Sequence, residues 1–112
     1  MDQATREAMW SKFTQVLSEA VKSTDPGLRV SVSISDNKSF LFEACRAKLP
    51  KREVALNFAA PYDHCFVHIE EGQPKRVEQF SFQQNGHIKW QGEITEMSQE
   101  DAAKKIMKFL TN

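Results

Sequence analysis

Leu28-Arg29-Val30-Ser31-Val32-Ser33-Ile34 is the stretch whose reading decides the fold. Apolar and polar side chains alternate without interruption, the period of two that gives a strand one dry and one wet face. The pattern continues downstream. Asp36-Asn37-Lys38 supplies turn residues, and Phe40, Phe42 and Ala44 resume the alternation as the second arm of a hairpin. Leu49-Pro50-Lys51-Arg52 breaks it, and Val54, Leu56 and Phe58 then alternate with Ala55, Asn57 and Ala59. Pro61-Tyr62-Asp63 turns the chain into a fourth strand over 64–70, and Glu71-Gly72-Gln73-Pro74 leads to a fifth that ends in Phe80-Ser81-Phe82. Asn85-Gly86 predicts a two-residue type I′ turn. A sixth strand is expected over 87–94, with Ile88, Trp90 and Ile94 on one side.

Outside this block the period changes. Met9, Phe13, Val16, Leu17, Ala20 and Val21 follow the three-and-four spacing of a helix face over 3–22, stopped by Asp25-Pro26-Gly27. Trp10, beside that stripe, is expected at the margin of the helix layer. Near the other end Ser98 precedes Asp101 by three, close to a capping box, and Ala102, Ala103, Ile106, Met107 and Leu110 form a second stripe. Glu100 and Asp101 at the start, with Lys104, Lys105 and Lys108 further on, suit the helix dipole.

The turns between strands are too short for parallel crossovers, so the strands should run as an antiparallel meander. Each helix has one apolar stripe and the sheet offers one apolar face. The expected fold is therefore an α+β two-layer sandwich in the order α-β6-α, both helices on one face, in a single domain over 1–112. If so, the opposite sheet face is open, with His64, Phe66 and His68 outward beside Leu41, Glu43 and Cys45, Gln79 and Ser81, and Lys89 and Gln91.

Composition narrows the function classes. The chain has 112 residues, 40% hydrophobic and 27% charged, enough for a core without metal or disulfide staples. Lys plus Arg and Asp plus Glu are both 15, so no net charge draws the protein to nucleic acid or an anionic membrane. The opening MDQATREAMWSKF has no uninterrupted apolar run, which sets a cytoplasmic location with no membrane span as the expectation. Cys45 and Cys65 are expected as reduced thiols on opposite faces of the sheet.

No catalytic signature, phosphate loop or cofactor motif stands out, and none is assigned. Asp63-His64-Cys65-Phe66-Val67-His68 gathers metal-ligating groups, but on a strand His64 and His68 are about 13 Å apart, too far to share one ion. Neither cysteine sits in a glycine-rich or helix-starting context that would favour a thiolate nucleophile. Arg46, Lys48, Lys51 and Arg52 form a basic loop that could touch an anion, including nucleic acid, though with less charge than dedicated nucleic-acid binders carry. Leu41, Tyr62, His64, Phe66 and His68 remain as a contact face with an apolar centre and a polar edge. The reading is a non-enzymatic interaction domain, an adaptor, accessory or inhibitor-like factor, whose partner is a protein or a second copy in a homodimer. The alternative from another class is a small-ligand binder or minor enzyme with a pocket between sheet and helices.

Overall fold

A computed structural model describes residues 2–24, 27–34, 39–46, 52–59, 64–70 and 76–111. The element order is α1 (Gln3–Thr24), β1 (Leu28–Ile34), β2 (Ser39–Arg46), β3 (Arg52–Ala59), β4 (His64–Glu70), β5 (Arg76–Phe82), β6 (Ile88–Trp90) and α2 (Gln99–Thr111). The strands form one antiparallel sheet in sequence order, β1 to β6. Both helices lie on one face and contact each other, completing the two-layer α+β sandwich.

Local chemistry sets the helix boundaries. Asp2 accepts the Thr5 backbone N–H at 2.8 Å on its Oδ1, filling one of the donors that the first turn leaves open. At the other end α1 runs two residues past the expected 22, and the Ser23 hydroxyl donates to the Glu19 carbonyl at 2.9 Å. Ser98 caps α2 by accepting the Asp101 N–H at 3.1 Å. The Gln99 amide then donates to the Gly86 carbonyl at 3.0 Å, tying the start of α2 to the β5–β6 hairpin.

Rings fill the space beneath the helices. Trp10 is fully buried and stacks on Phe58 at 4.9 Å between centroids, so it lies at the centre of the core and not at its margin. Its indole meets two buried rings there, Phe58 from β3 and Phe82 from β5. Phe13 meets Phe80 edge-on at 5.6 Å, and Phe58 meets Phe82 at 5.5 Å. Such edge contacts add about 0.5–1.5 kcal/mol each beyond area burial. The inward residues of β2 to β4, Phe42, Ala44, Val54, Leu56, Phe58, Cys65, Val67 and Ile69, are all buried.

Two expectations are corrected. The β5–β6 connection is not a two-residue type I′ turn. Gly86 N–H bonds the Gln83 carbonyl at 2.9 Å, Gln83 N–H bonds the His87 carbonyl at 2.8 Å, and Gly86 has φ 83°. That is a three-residue loop with glycine in the left-handed position, which the Asn85 side chain supports by accepting the His87 N–H at 3.0 Å. β6 is also shorter than the expected 87–94. It ends at Trp90, where Gly92 at φ 92° turns the chain, so Ile94 does not share a face with Ile88 and Trp90 and stands 94% exposed.

The helical cover leaves two parts of the inner face open. Val30 and Val32 share the inner face with Ala44 and Phe42 by register, yet are 38% and 44% exposed. On β5, Arg76 and Glu78 occupy inner positions, opposite Ile69 and Val67, where the cover also runs out. Glu78 accepts the Trp90 indole N–H at 2.9 Å, so the ring stays buried with its donor satisfied.

Candidate functional site

The face away from the helices is assembled by register alone. One row crosses the sheet as Ser33, Leu41, Asn57, Phe66 and Gln79, and the next as Ser31, Glu43, Ala55, His68 and Val77. Phe66 is 43% exposed and Val77 54%, with Leu41 and Ala55 half-buried among them. A third row, Arg29, Cys45, Glu53 and Glu70, closes one end, and His64, Ser81 and Lys89 close the other.

His64 and Phe66 belong together. Their rings meet edge to face at 5.5 Å, which holds the phenyl ring upright on the sheet. His68 lies on the same strand beyond Phe66 and is exposed. Leu41 sits two strands away in the Phe66 row. Tyr62, the fifth residue expected on this face, lies outside the described residues, as do Lys48 and Lys51 of the basic loop. Arg46 and Arg52 end β2 and begin β3 as a directly paired couple. They share the parity of the inner residues Ala44 and Val54, so both are on the helix side of the sheet, away from Phe66. Arg52 keeps its Nε and Nη1 buried without a hydrogen-bond partner.

Val77 was missed from sequence. The signal was parity within β5, since Val77 is two residues before Gln79 and so shares the open face with Gln79 and Ser81.

The chemistry of the face is limited. Among the described residues no three His, Cys, Asp or Glu side chains gather to hold a metal ion. Neither Cys45 nor Cys65 is in a disulfide. Cys65 is fully buried beneath the helices, its Sγ directed to the Asn57 carbonyl at 3.5 Å, and burial pushes its pKa far up, away from a reactive thiolate. Cys45 lies on the open face and directs its Sγ to Glu53 Oε1 at 3.6 Å. β2 and β4 are two strand spacings apart, about 9.6 Å, so neither His64 nor His68 reaches Cys45 to take its proton. Glu53 and Glu70 face one another across β3 and β4 and border a hollow of about 280 Å³ with His68, Ala55 and Val77. Among the described residues no serine, threonine or cysteine lines the hollow.

The described chain is thus a small α+β domain without an evident catalytic or metal-binding arrangement. No helix among the described residues is long and apolar enough to cross a membrane. No protein-family model, curated protein or solved structure matches the chain.

Proposed function

We propose that this protein works by protein contact through its open sheet face, without catalysing a reaction, and that the first partner for that face is a second copy of the chain. The observation that carries the reading is the diagonal set of apolar side chains Leu41, Ala55, Phe66 and Val77 on four successive strands, interleaved with Asn57 and His68, with Phe66 and Val77 left about half exposed. Single exposed apolar residues are ordinary; a connected group on the flat face of a sheet is the form an interface centre takes.

The order of residues on β4 favours a second copy. Its outward side chains run His64, Phe66, His68, Glu70. A two-fold axis across the strands, between Phe66 and His68, brings His64 over the second copy's Glu70 and Phe66 over its His68. An imidazole–carboxylate contact and a ring contact then occur twice by symmetry, and two sheets packed this way lie about 10 Å apart.

The test is mass against concentration. Sedimentation or light scattering from about 1 μM to about 1 mM, the span in which a modest interface dissociates, should show a monomer–dimer equilibrium. Phe66→Asp should shift it to monomer while leaving the circular dichroism spectrum unchanged. A wild-type protein that stays monomeric throughout, or a dimer that Phe66→Asp leaves intact, removes self-contact through this face.

A further inference from the structure

Where the helical cover ends, between α2 and the start of β5, the structure has a cavity of about 820 Å³ lined by Arg76, Met97, Asp101, Lys104, Lys105, Lys108 and Phe109. It lies on the helix side of the sheet, remote from the Phe66 face. Four cations and one carboxylate share this lining in a chain whose total charge is zero. Two of the cations are pinned. Arg76 lies over the Phe109 ring, Cζ 5.0 Å from its centroid, with Nε 3.5 Å from Glu78. Lys105 lies over Trp90, Nζ 4.9 Å from the ring centroid, and pairs with Glu93. The other two, Lys104 and Lys108, are one helical turn apart, exposed, and make no ion pair among the described residues.

Helix electrostatics account for part of this and not the rest. Lys108 belongs in the last turn of α2, where a cation complements the dipole. That argument says nothing of Arg76, which comes from a strand, or of the half-buried Phe109 and Met97 between the charges. An apolar floor with convergent cations and a volume inside the usual range of ligand sites has the character of a pocket for an amphipathic anion.

We propose that this cavity binds a small organic anion, its phosphate or carboxylate held between Lys104, Lys108 and Arg76 and its flat apolar body laid against Phe109 and Met97. Pinning Arg76 and Lys105 on rings fixes two positive charges in advance, so binding orders only the two free lysines. This reading is independent of the contact face and survives its failure.

Three probes separate the parts of the site: phenyl phosphate carries charge and ring, inorganic phosphate the charge alone, benzyl alcohol the ring alone. In titrations followed by nuclear magnetic resonance, phenyl phosphate should bind about tenfold or more tightly than either of the others, shifting the Trp90 indole and the Phe109 amide and leaving Phe66 and His68 unmoved. Added salt should weaken it. The double variant Lys104→Gln/Lys108→Gln, at two exposed positions, should lose about tenfold in affinity with its circular dichroism spectrum unchanged, and Arg76→Gln a similar factor. Phe66→Asp should bind as the wild type does. Equal binding of benzyl alcohol, unchanged affinity in both charge variants, or no movement of the Trp90 indole at saturating phenyl phosphate overturns the proposal.

Discussion

The two cysteines provide a direct test of which face is covered and which is free, because the fold places one on each. In the native protein a thiol reagent should find Cys45, half-buried on the open face, and should not find Cys65, fully buried under the helices. Cys65 reacts only after the sheet and helices separate. If that requires global unfolding, a stability of about 5 kcal/mol, the low end for a domain, slows its labelling by about three to four powers of ten relative to the unfolded chain. Single-thiol variants, Cys45→Ser and Cys65→Ala, separate the two time courses by absorbance. The wild type should then show one fast equivalent and a second that appears at the rate of opening, accelerating steeply with urea. Cys45 also reports on the proposed contact: if a second copy covers its face, the fast phase slows as protein concentration rises, in proportion to the dimer. Comparable rates for the two thiols, or an intramolecular disulfide, would refute the face assignment. A fast phase independent of concentration up to the highest attainable would refute self-contact.

Two further predictions concern stability. Phe58→Ala removes the ring on which Trp10 stacks, at a fully packed position, and should lower the unfolding free energy by about 3–5 kcal/mol in urea titration; a loss below about 1 kcal/mol would mean that the ring cluster is not the core. Asp2 is held below its ordinary value of 3.8, first by the Thr5 side chain and then by the Thr5 backbone N–H. A lowered folded pKa stabilises the folded state above the unfolded value and loses that effect as pH falls through the folded one. Asp2→Ala should therefore lower Tm modestly at pH 7, with the gap to wild type closing below pH 3.8; a gap that persists in acid would assign the effect to something other than the carboxylate cap.

The architecture was legible because its determinants are local and periodic. Strict alternation from Leu28 to Ile34 fixes a strand, short turns fix antiparallel neighbours, and two amphipathic stripes need the one apolar sheet face; each step uses residues close in sequence. The deviations arose where distant parts meet. Asn85-Gly86 signals a hairpin correctly, yet the loop takes a third residue because Gly86 must also present its carbonyl to Gln99 at the start of α2. Trp10 looks marginal on a helical wheel and becomes central only when Phe58 and Phe82 are brought to it from two strands.

The sites follow the same division. The outward set His64, Phe66 and His68 is a matter of parity within one strand, and parity can be counted. Val77 joins that face by the same parity, two residues before Gln79, whereas the cation-lined cavity joins a strand residue, Arg76, to lysines more than twenty-five positions later. Nothing in the local sequence distinguishes those lysines from ordinary solvated ones. What distinguishes them is the place where α2 stops covering β5. An inward register position there can hold Arg76 and Glu78 where a covered strand would need two apolar residues. Extending the cover should therefore exclude the charges: at the equivalent inward positions of β4, beneath the helices, the chain has Val67 and Ile69 instead. The same boundary explains why the molecule can carry two separate surfaces. The helices leave open the outer face, where a flat partner is proposed, and the inner corner at Arg76, where a small anion is proposed, and the buried sheet between them keeps the two apart.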